Sequence, residues 1–131
     1  MRSTLLSVLA GLVAVGVPVS VSAHHSFPAF YFEEQTVSIE GELVEFEYRA
    51  PHAWVRVMAP DEKGVLQQFS AEWANPSRLT QLGVTKETLK PGDRVIVTGS
   101  PGRNPAERRL HLKSIQRPAD GWSWAGRGGR R

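Results

Sequence analysis

The sequence contains no cysteine. This absence excludes disulfide bonds, thiolate metal ligands and a lipid anchor attached through cysteine, so core packing and strand pairing must hold the domain together. The sequence also lacks a His-Glu-x-x-His motif, a carboxylate cluster with calcium-loop spacing and the surroundings of a catalytic triad. We therefore expect neither a zinc site nor an enzyme, and we assign no catalytic residues.

Long apolar segments are also scarce, since the only one lies at the N-terminus. It runs from Leu5 to Val17 after the positive Arg2, and it is too short for a membrane span, which takes about 20 residues. Val21-Ser22-Ala23 then supplies small residues of the kind that signal peptidase recognises. These features predict a signal peptide over residues 1–23, cleaved after Ala23. The mature chain is expected in the periplasm or secreted, without a membrane span.

Charge is unevenly distributed over the predicted mature chain. Residues 24–75 carry nine Asp or Glu against three Lys or Arg, whereas residues 76–131 carry twelve basic residues against four acidic ones. A basic half can attract anionic molecules, but charged residues usually lie on solvated surfaces. We favour a solvated surface. We expect no nucleic acid partner, because the first half is acidic and export removes the protein from most nucleic acid.

Alternating apolar and polar residues predict β-strands across residues 37–117. The first strand begins at Val37, and its apolar phase changes after Leu43, which indicates a β-bulge. After three strands, Asn75-Pro76 is typical of a helix start and Gly83 of a helix end, and two more strands follow. This order is the plan of a five-stranded OB-like antiparallel barrel with a short helix between strands 3 and 4, so we predict an all-β fold with little helix. An SH3-like barrel or an open antiparallel sandwich is the alternative.

The buried faces of the second and third strands fix their register. This register places Trp54 opposite Glu72, with His52 diagonal to Glu72 on the same outer face. Barrels of this type commonly bind ligands on the outer face of these two strands. Trp54, Arg56 and Glu72 lie on that face, and an aromatic ring beside a cation can stack a flat ligand. We predict these three residues as a site for a small ligand or a partner protein; the alternative is that Trp54 packs under the N-terminal arm.

Two further segments flank the predicted barrel. Residues 24–36 contain aromatic side chains without a clear period, and we predict an N-terminal arm that packs Phe27, Phe30 or Phe32 onto the barrel. Residues 118–131 are rich in glycine and arginine. Such a composition buries little apolar surface, so we predict a disordered tail there, with Trp122 and Trp124 as the residues that could hold its start to the surface.

Several segments together resemble one family. They are His24-His25-Ser26-Phe27, the strand opening Val37-Ser38-Ile39-Glu40-Gly41, Pro51-His52-Ala53-Trp54, and the turn Leu89-Lys90-Pro91-Gly92-Asp93. The resemblance is to a family of small exported bacterial proteins whose function is not established, and it spans most of residues 24–117. Members usually have Asn before Pro-His, where this chain has Ala50. The resemblance implies the barrel fold and export, and it implies no reaction.

The histidines are the residues that suggest chemistry. Cleavage after Ala23 would give His24 a free α-amine beside its imidazole, and His25 would add a second ring and a backbone nitrogen. His52 would add a third ring from the barrel, held by Glu72. Nitrogen donors of this kind suit Cu(II) in tetragonal geometry. We therefore predict His24, His25 and His52 as metal ligands, and copper is the one cofactor that the sequence suggests.

Two interpretations of function remain open. In the first, the exported barrel is a monomeric binding module with a copper site at its mature N-terminus. In the second, it is a scaffold that binds a small ligand or a periplasmic protein through Trp54 and Arg56, while the terminal histidines are frayed. His111, on the last predicted strand, is expected to be exposed and without a ligand in either case.

Overall fold

The structure is a computed structural model of the chain and describes residues 27–126. The elements are helix α1 Phe27–Phe30, strands β1 Val37–Glu47, β2 Trp54–Pro60 and β3 Leu66–Glu72, helix α2 Pro76–Gln81, strand β4 Arg94–Pro101, a 3₁₀ helix Pro105–Glu107, and strands β5 Arg109–Arg117 and β6 Trp122–Ala125. Within residues 27–126, no helix has the length and apolar character needed to cross a membrane. The predicted signal peptide, His24 and His25 lie outside the described residues.

Strands β1 to β5 close into a barrel. The strand order is β3-β2-β1-β4-β5, and the parallel pairing of β3 with β5 closes the ring. The other pairings among these five strands are antiparallel. Helix α2 follows the third strand and precedes the fourth. This order confirms the predicted OB-like barrel with its short helix between strands 3 and 4.

Strand β1 bends at a bulge, as the phase change after Leu43 predicts. Its register against β2 shifts between Leu43 and Glu45, and Val44 is exposed. Gly41 precedes the bulge at a close approach of β1 and β2, since a Cβ there would collide with the carbonyl oxygen of Met58. The bend lets the first half of β1 pair with β4 and its second half pair with β2.

The barrel interior is filled by alternate residues of its strands. Val55 and Val57 of β2 and Ala71 of β3 are fully buried, and burying a valine side chain contributes roughly 2 kcal/mol relative to leaving it exposed. Trp54 pairs with Glu72 and Val55 pairs with Ala71, so the predicted register is confirmed. The residues between the buried ones point outward, and this alternation places Trp54 and Glu72 on the outer face.

Helix α2 begins and ends where the sequence predicts. The Asn75 side chain is the N-cap and accepts a hydrogen bond from the backbone N–H of Ser77 at 2.8 Å. Gly83 follows the helix with a φ of 82°, a left-handed conformation that favours glycine. Leu79 is fully buried and anchors the helix on the barrel. The Asn75 amide also donates to the carbonyl oxygen of Pro51 at 3.2 Å, which ties the helix to the segment that leads into β2.

The start of the segment after Pro118 is an ordered strand and not disordered, and it contains the two tryptophans, Trp122 and Trp124, that could hold it to the surface. Residues Trp122–Ala125 form β6, which pairs antiparallel with β5. Trp124 packs edge-to-face against Trp73, with ring centroids 5.0 Å apart. The glycine and arginine content indicated a solvated tail, but the apolar area of two tryptophans is enough to hold a short strand against β5. Residues 127–131 lie outside the described part of the chain.

Candidate functional site

The described part of the N-terminal arm is fixed to the barrel by main-chain and ring contacts. The N–H of Phe32 donates to the carbonyl of Pro101 at 2.9 Å, and the N–H of Arg103 donates to the carbonyl of Phe30 at 2.8 Å. The Arg103 guanidinium lies over the Phe32 ring, 4.4 Å from its centroid. Phe27 also packs on the barrel, whereas Phe30 is 60% exposed. The arm therefore packs as predicted, through two of the three phenylalanines.

Phe27 lies against two histidines that come from different parts of the chain. Its ring stacks on His111 of β5 with centroids 3.8 Å apart and planes 4° apart. It also stacks on His52, which precedes β2, at 5.4 Å and 29°. Strand β3 pairs with both β2 and β5. The barrel thus places the two imidazoles on either side of β3, under the start of the arm.

Each of these histidines is paired with a carboxylate. Nδ1 of His52 lies 2.7 Å from Oε1 of Glu72, and Nδ1 of His111 lies 2.9 Å from Oε1 of Glu33. The two histidine side chains are 17% and 22% exposed. A carboxylate at Nδ1 favours the neutral tautomer whose lone pair is on Nε2, which is how many metal-binding histidines are oriented.

Glu72 connects the arm, the barrel and one histidine. Its Oε1 pairs with His52, and its Oε2 accepts a hydrogen bond from the hydroxyl of Tyr31 at 2.5 Å. Burial raises the pKa of Tyr31 above its usual range, and the hydrogen bond to Glu72 and the negative charge of Glu72 raise it further. The Tyr31 hydroxyl therefore stays protonated and acts as a donor. We call this set the histidine–carboxylate cluster: Phe27, Tyr31, Glu33, His52, Glu72 and His111.

The cluster is not a complete metal site by itself. Among residues 27–126, no group of three or more His, Cys, Asp or Glu is placed to hold a metal ion. The predicted contact of His52 with Glu72 is confirmed. The metal-binding role of His52 stays a prediction, because His24 and His25 lie outside the described residues.

The expectation that His111 is exposed is wrong, whereas the expectation that it binds no ligand stays a prediction. Its side chain is 22% exposed, paired with Glu33 and stacked on Phe27. Sequence reasoning placed His111 correctly on the last barrel strand and missed what covers it. Glu33 belongs to an arm without periodicity, 78 positions away. Tyr31, 1% exposed, was missed for the same reason.

The three predicted ligand-binding residues separate into two places. Trp54 and Arg56 line a shallow depression of about 400 Å³ together with Arg109. The Arg109 guanidinium lies over the Trp54 ring, 4.8 Å from its centroid. Arg56 pairs with Glu47 at 2.7 Å and also with Glu45. Glu72 instead belongs to the histidine–carboxylate cluster. The charges of Arg56 and Glu72 are therefore both paired within the protein, which the sequence did not indicate for Arg56.

A larger groove opens beside the histidine–carboxylate cluster. It has a volume of about 890 Å³ and is bordered by helix α2 and strands β5 and β6, so we call it the α2–β6 groove. Phe27, His52 and His111 line it on the side of the cluster. Trp73 and Trp124 provide apolar lining, and Arg78 of α2 and Lys113 of β5 provide positive charge.

These features define a small OB-type β-barrel that carries a histidine–carboxylate cluster beneath its N-terminal arm. The chain belongs to a family of unknown function (DUF6152), whose family model matches residues 11–111. A search of curated proteins gives no significant match. Among solved structures, the chain is similar to Rim1, a mitochondrial single-stranded DNA binding protein from S. cerevisiae, with a TM-score of 0.46 and 16% identity over 63% of this chain and 92% of that chain.

Proposed function

We propose that this protein is exported and acts as a binding module, not an enzyme, that holds copper at its processed N-terminus. Cleavage after Ala23 makes His24 the first residue, in the periplasm or outside the cell. The ligands are the α-amine and imidazole of His24 together with the imidazoles of His25 and His52. A set of nitrogen donors suits Cu(II) in tetragonal geometry.

The observation that supports this proposal most is the stacking of Phe27 on two imidazoles, each paired with a carboxylate. Phe27 follows His24 by three residues, and three extended residues span about 10 Å. A chain that starts at His24 therefore has its α-amine tethered close to the barrel histidines. A short tether of this kind lowers the entropic cost of bringing terminal and barrel ligands to one ion.

The pairing with carboxylates also suits the barrel histidines to bind a metal. Glu72 at Nδ1 of His52 favours the tautomer whose Nε2 lone pair can coordinate, and Glu33 does the same for His111. His111 is paired in the same way, but it is not one of the proposed ligands. Carboxylates in this position fix the orientation of an imidazole ring.

Isothermal titration of untagged protein that begins at His24 with Cu(II) tests the proposal. We expect one copper ion per chain. An additional N-terminal methionine moves the α-amine away from His24 and should weaken binding by about tenfold or more. His52→Gln should weaken it by a similar factor, whereas Glu34→Gln, on the exposed surface of the arm, is the matched control.

The result that contradicts the proposal is equally specific. If the chain with the added methionine binds Cu(II) as tightly as the processed chain, the α-amine is not a ligand. Mass spectrometry of the secreted protein provides the other check, because an N-terminus at any residue other than His24 removes the proposed ligand set.

A further inference from the structure

We propose that the α2–β6 groove binds a small organic anion with a flat apolar ring system, of the aromatic carboxylate or sulfonate class. The proposed binding surface lies along the aromatic and basic walls of the groove, away from its border at His52, and requires no metal. It is based on the size of the groove, its aromatic wall and the sign of the charge along its lining.

The size of the groove fits a small molecule. Its volume is about 890 Å³, whereas small-molecule sites typically enclose roughly 300 to 1,000 Å³. A lone inorganic ion would leave most of this space to water. An organic molecule with several rings has the size that suits this groove.

One wall of the groove is aromatic. Trp73 and Trp124 line it, with their rings edge-to-face at 72° and their centroids 5.0 Å apart. Trp73 is 1% exposed and forms the base, while Trp124 is half-buried and presents part of its ring. Leu112 and Phe27 add further apolar lining. Such surfaces favour flat ring systems, which stack on or pack edge-to-face against indole rings.

Among residues 27–126, the Lys, Arg, Asp and Glu side chains that line the groove are all basic. Arg78 and Lys113 line the groove, and no Asp or Glu is among the described residues that do so. Arg78 forms no ion pair with any residue of the described part of the chain. Lys113 donates to the backbone carbonyls of Glu33 and Gln35 and to the Thr36 hydroxyl. These acceptors are uncharged, so the positive charge of Lys113 is not neutralised by them.

An anionic ligand with apolar rings complements both the aromatic wall and the basic side chains of the groove. Its apolar rings would cover Trp124 and Leu112, and its acidic group would pair with Arg78. The charge of Lys113 adds a longer-range attraction, because its three donors are already used. The carboxylates of Glu33 and Glu72 are paired with His111 and His52, and neither of them lines the groove. A cation of the same shape would meet Arg78 and Lys113 without a compensating acid, so charge selects the anion.

The test uses two fluorescent probes that share one ring system. 1-Anilinonaphthalene-8-sulfonate carries the acidic group, and N-phenyl-1-naphthylamine lacks it. Both are titrated into folded protein that begins at His24 and has been treated with EDTA. We expect saturable one-to-one binding of the sulfonate, about tenfold tighter than that of the neutral probe, since a charge-assisted hydrogen bond contributes that much.

Two pairs of variants locate the binding. Arg78→Gln should weaken sulfonate binding by about fivefold and leave the neutral probe nearly unchanged, whereas Arg94→Gln, an exposed arginine of β4, is the control for net charge. Trp124→Ala should weaken both probes. Trp122→Ala is its control, because Trp122 lies on the same strand and does not line the groove.

The proposal fails if the two probes bind equally well, or if Arg78→Gln and Arg94→Gln have the same effect. It also fails if Trp122→Ala and Trp124→Ala weaken binding equally, since loss of β6 alone would then account for the change. Copper titration of the same preparations keeps the two proposals apart. Anion binding by protein that fails to bind copper overturns only the proposed function, and the converse overturns only the groove site.

Discussion

The Nδ1 atom of His52 lies 2.7 Å from Oε1 of Glu72, and both side chains are largely withdrawn from water, at 17% and 14% exposure. The other oxygen of Glu72 accepts a hydrogen bond from the hydroxyl of Tyr31. One carboxylate therefore joins the segment before β2, the end of β3 and the N-terminal arm. Changing either of its partners should alter both the packing of the arm and the orientation of the His52 ring.

Tyr31→Phe should destabilise the protein. The substitution removes the donor to Glu72 Oε2 and leaves a largely buried carboxylate oxygen without it, which costs about 1–3 kcal/mol. Urea unfolding followed by tryptophan fluorescence measures the loss. The same substitution in a Glu72→Gln background should cost less, because the acceptor no longer carries a charge. Equal losses in both backgrounds would show that the hydroxyl does not act through Glu72.

Glu72→Gln should reduce the free energy of copper binding more than it reduces the free energy of unfolding. The amide cannot accept from Nδ1 of His52 as a charged oxygen does, so the ring loses the partner that sets its tautomer. Loss of such a carboxylate typically reduces metal affinity by about 10- to 100-fold. Isothermal titration with Cu(II) measures the effect. Glu33→Gln makes the corresponding change at His111, and Glu34→Gln is the control that preserves both pairs. An unchanged affinity in Glu72→Gln argues against His52 as a ligand.

Gly41→Ala should destabilise the barrel where β1 approaches β2. The new methyl group would collide with the carbonyl oxygen of Met58, so the strands must separate. Overpacking of this kind costs about 1–3 kcal/mol. Gly126→Ala is the matched control, because its Cβ would meet neighbours no closer than 3.6 Å. Thermal unfolding of the two variants compares them, and similar melting temperatures would contradict the close approach.

The sequence predicted what depends on local pattern. The bulge after Leu43, the pairing of Trp54 with Glu72 and the Asn75 N-cap each follow from residues that are close in the chain or from the alternation of two adjacent strands. The contact of His52 with Glu72 could be predicted for the same reason, since the register places them diagonally on one face.

The sequence could not predict the contacts between the N-terminal arm and the barrel. Glu33 pairs with His111 across 78 positions, and Phe27 stacks on both histidines from an arm without hydrophobic period. No pattern of period two or 3.6 marks such contacts, because they depend on where an irregular segment crosses a closed sheet. The α2–β6 groove was missed likewise, since its wall includes a strand from the segment that composition assigned to a disordered tail.

A substitution in strand β6 tests whether this segment is a packed strand or a disordered tail. Trp124→Ala removes the ring that packs against Trp73, and truncating a half-buried aromatic side chain costs about 1–3 kcal/mol, less than the loss for a fully buried one. The emission of Trp73 should also shift to longer wavelength as water reaches it. Chemical unfolding and fluorescence spectra measure both effects. The control is Ser123→Ala, an exposed position on the same strand, and a tail without structure would give no change in either variant.

Asp61→Asn should reduce the dependence of stability on acid pH. Its carboxylate accepts from the backbone N–H groups of Val65 and Lys63, each at 2.9 Å, and the bond from Val65 is the main cause that lowers the pKa of Asp61 in the folded protein. A folded pKa below the unfolded one means that the ionised group stabilises the fold above the unfolded value, about 3.9. This stabilisation is lost as pH falls from about 4 through the folded pKa. Urea unfolding between neutral pH and pH of about 2 should therefore show a smaller decline for Asp61→Asn than for the parent. Glu62→Gln is the control, because it changes the same turn and leaves the two hydrogen bonds of Asp61 in place. Parallel curves for Asp61→Asn and the parent would mean that the turn does not select the ionised carboxylate.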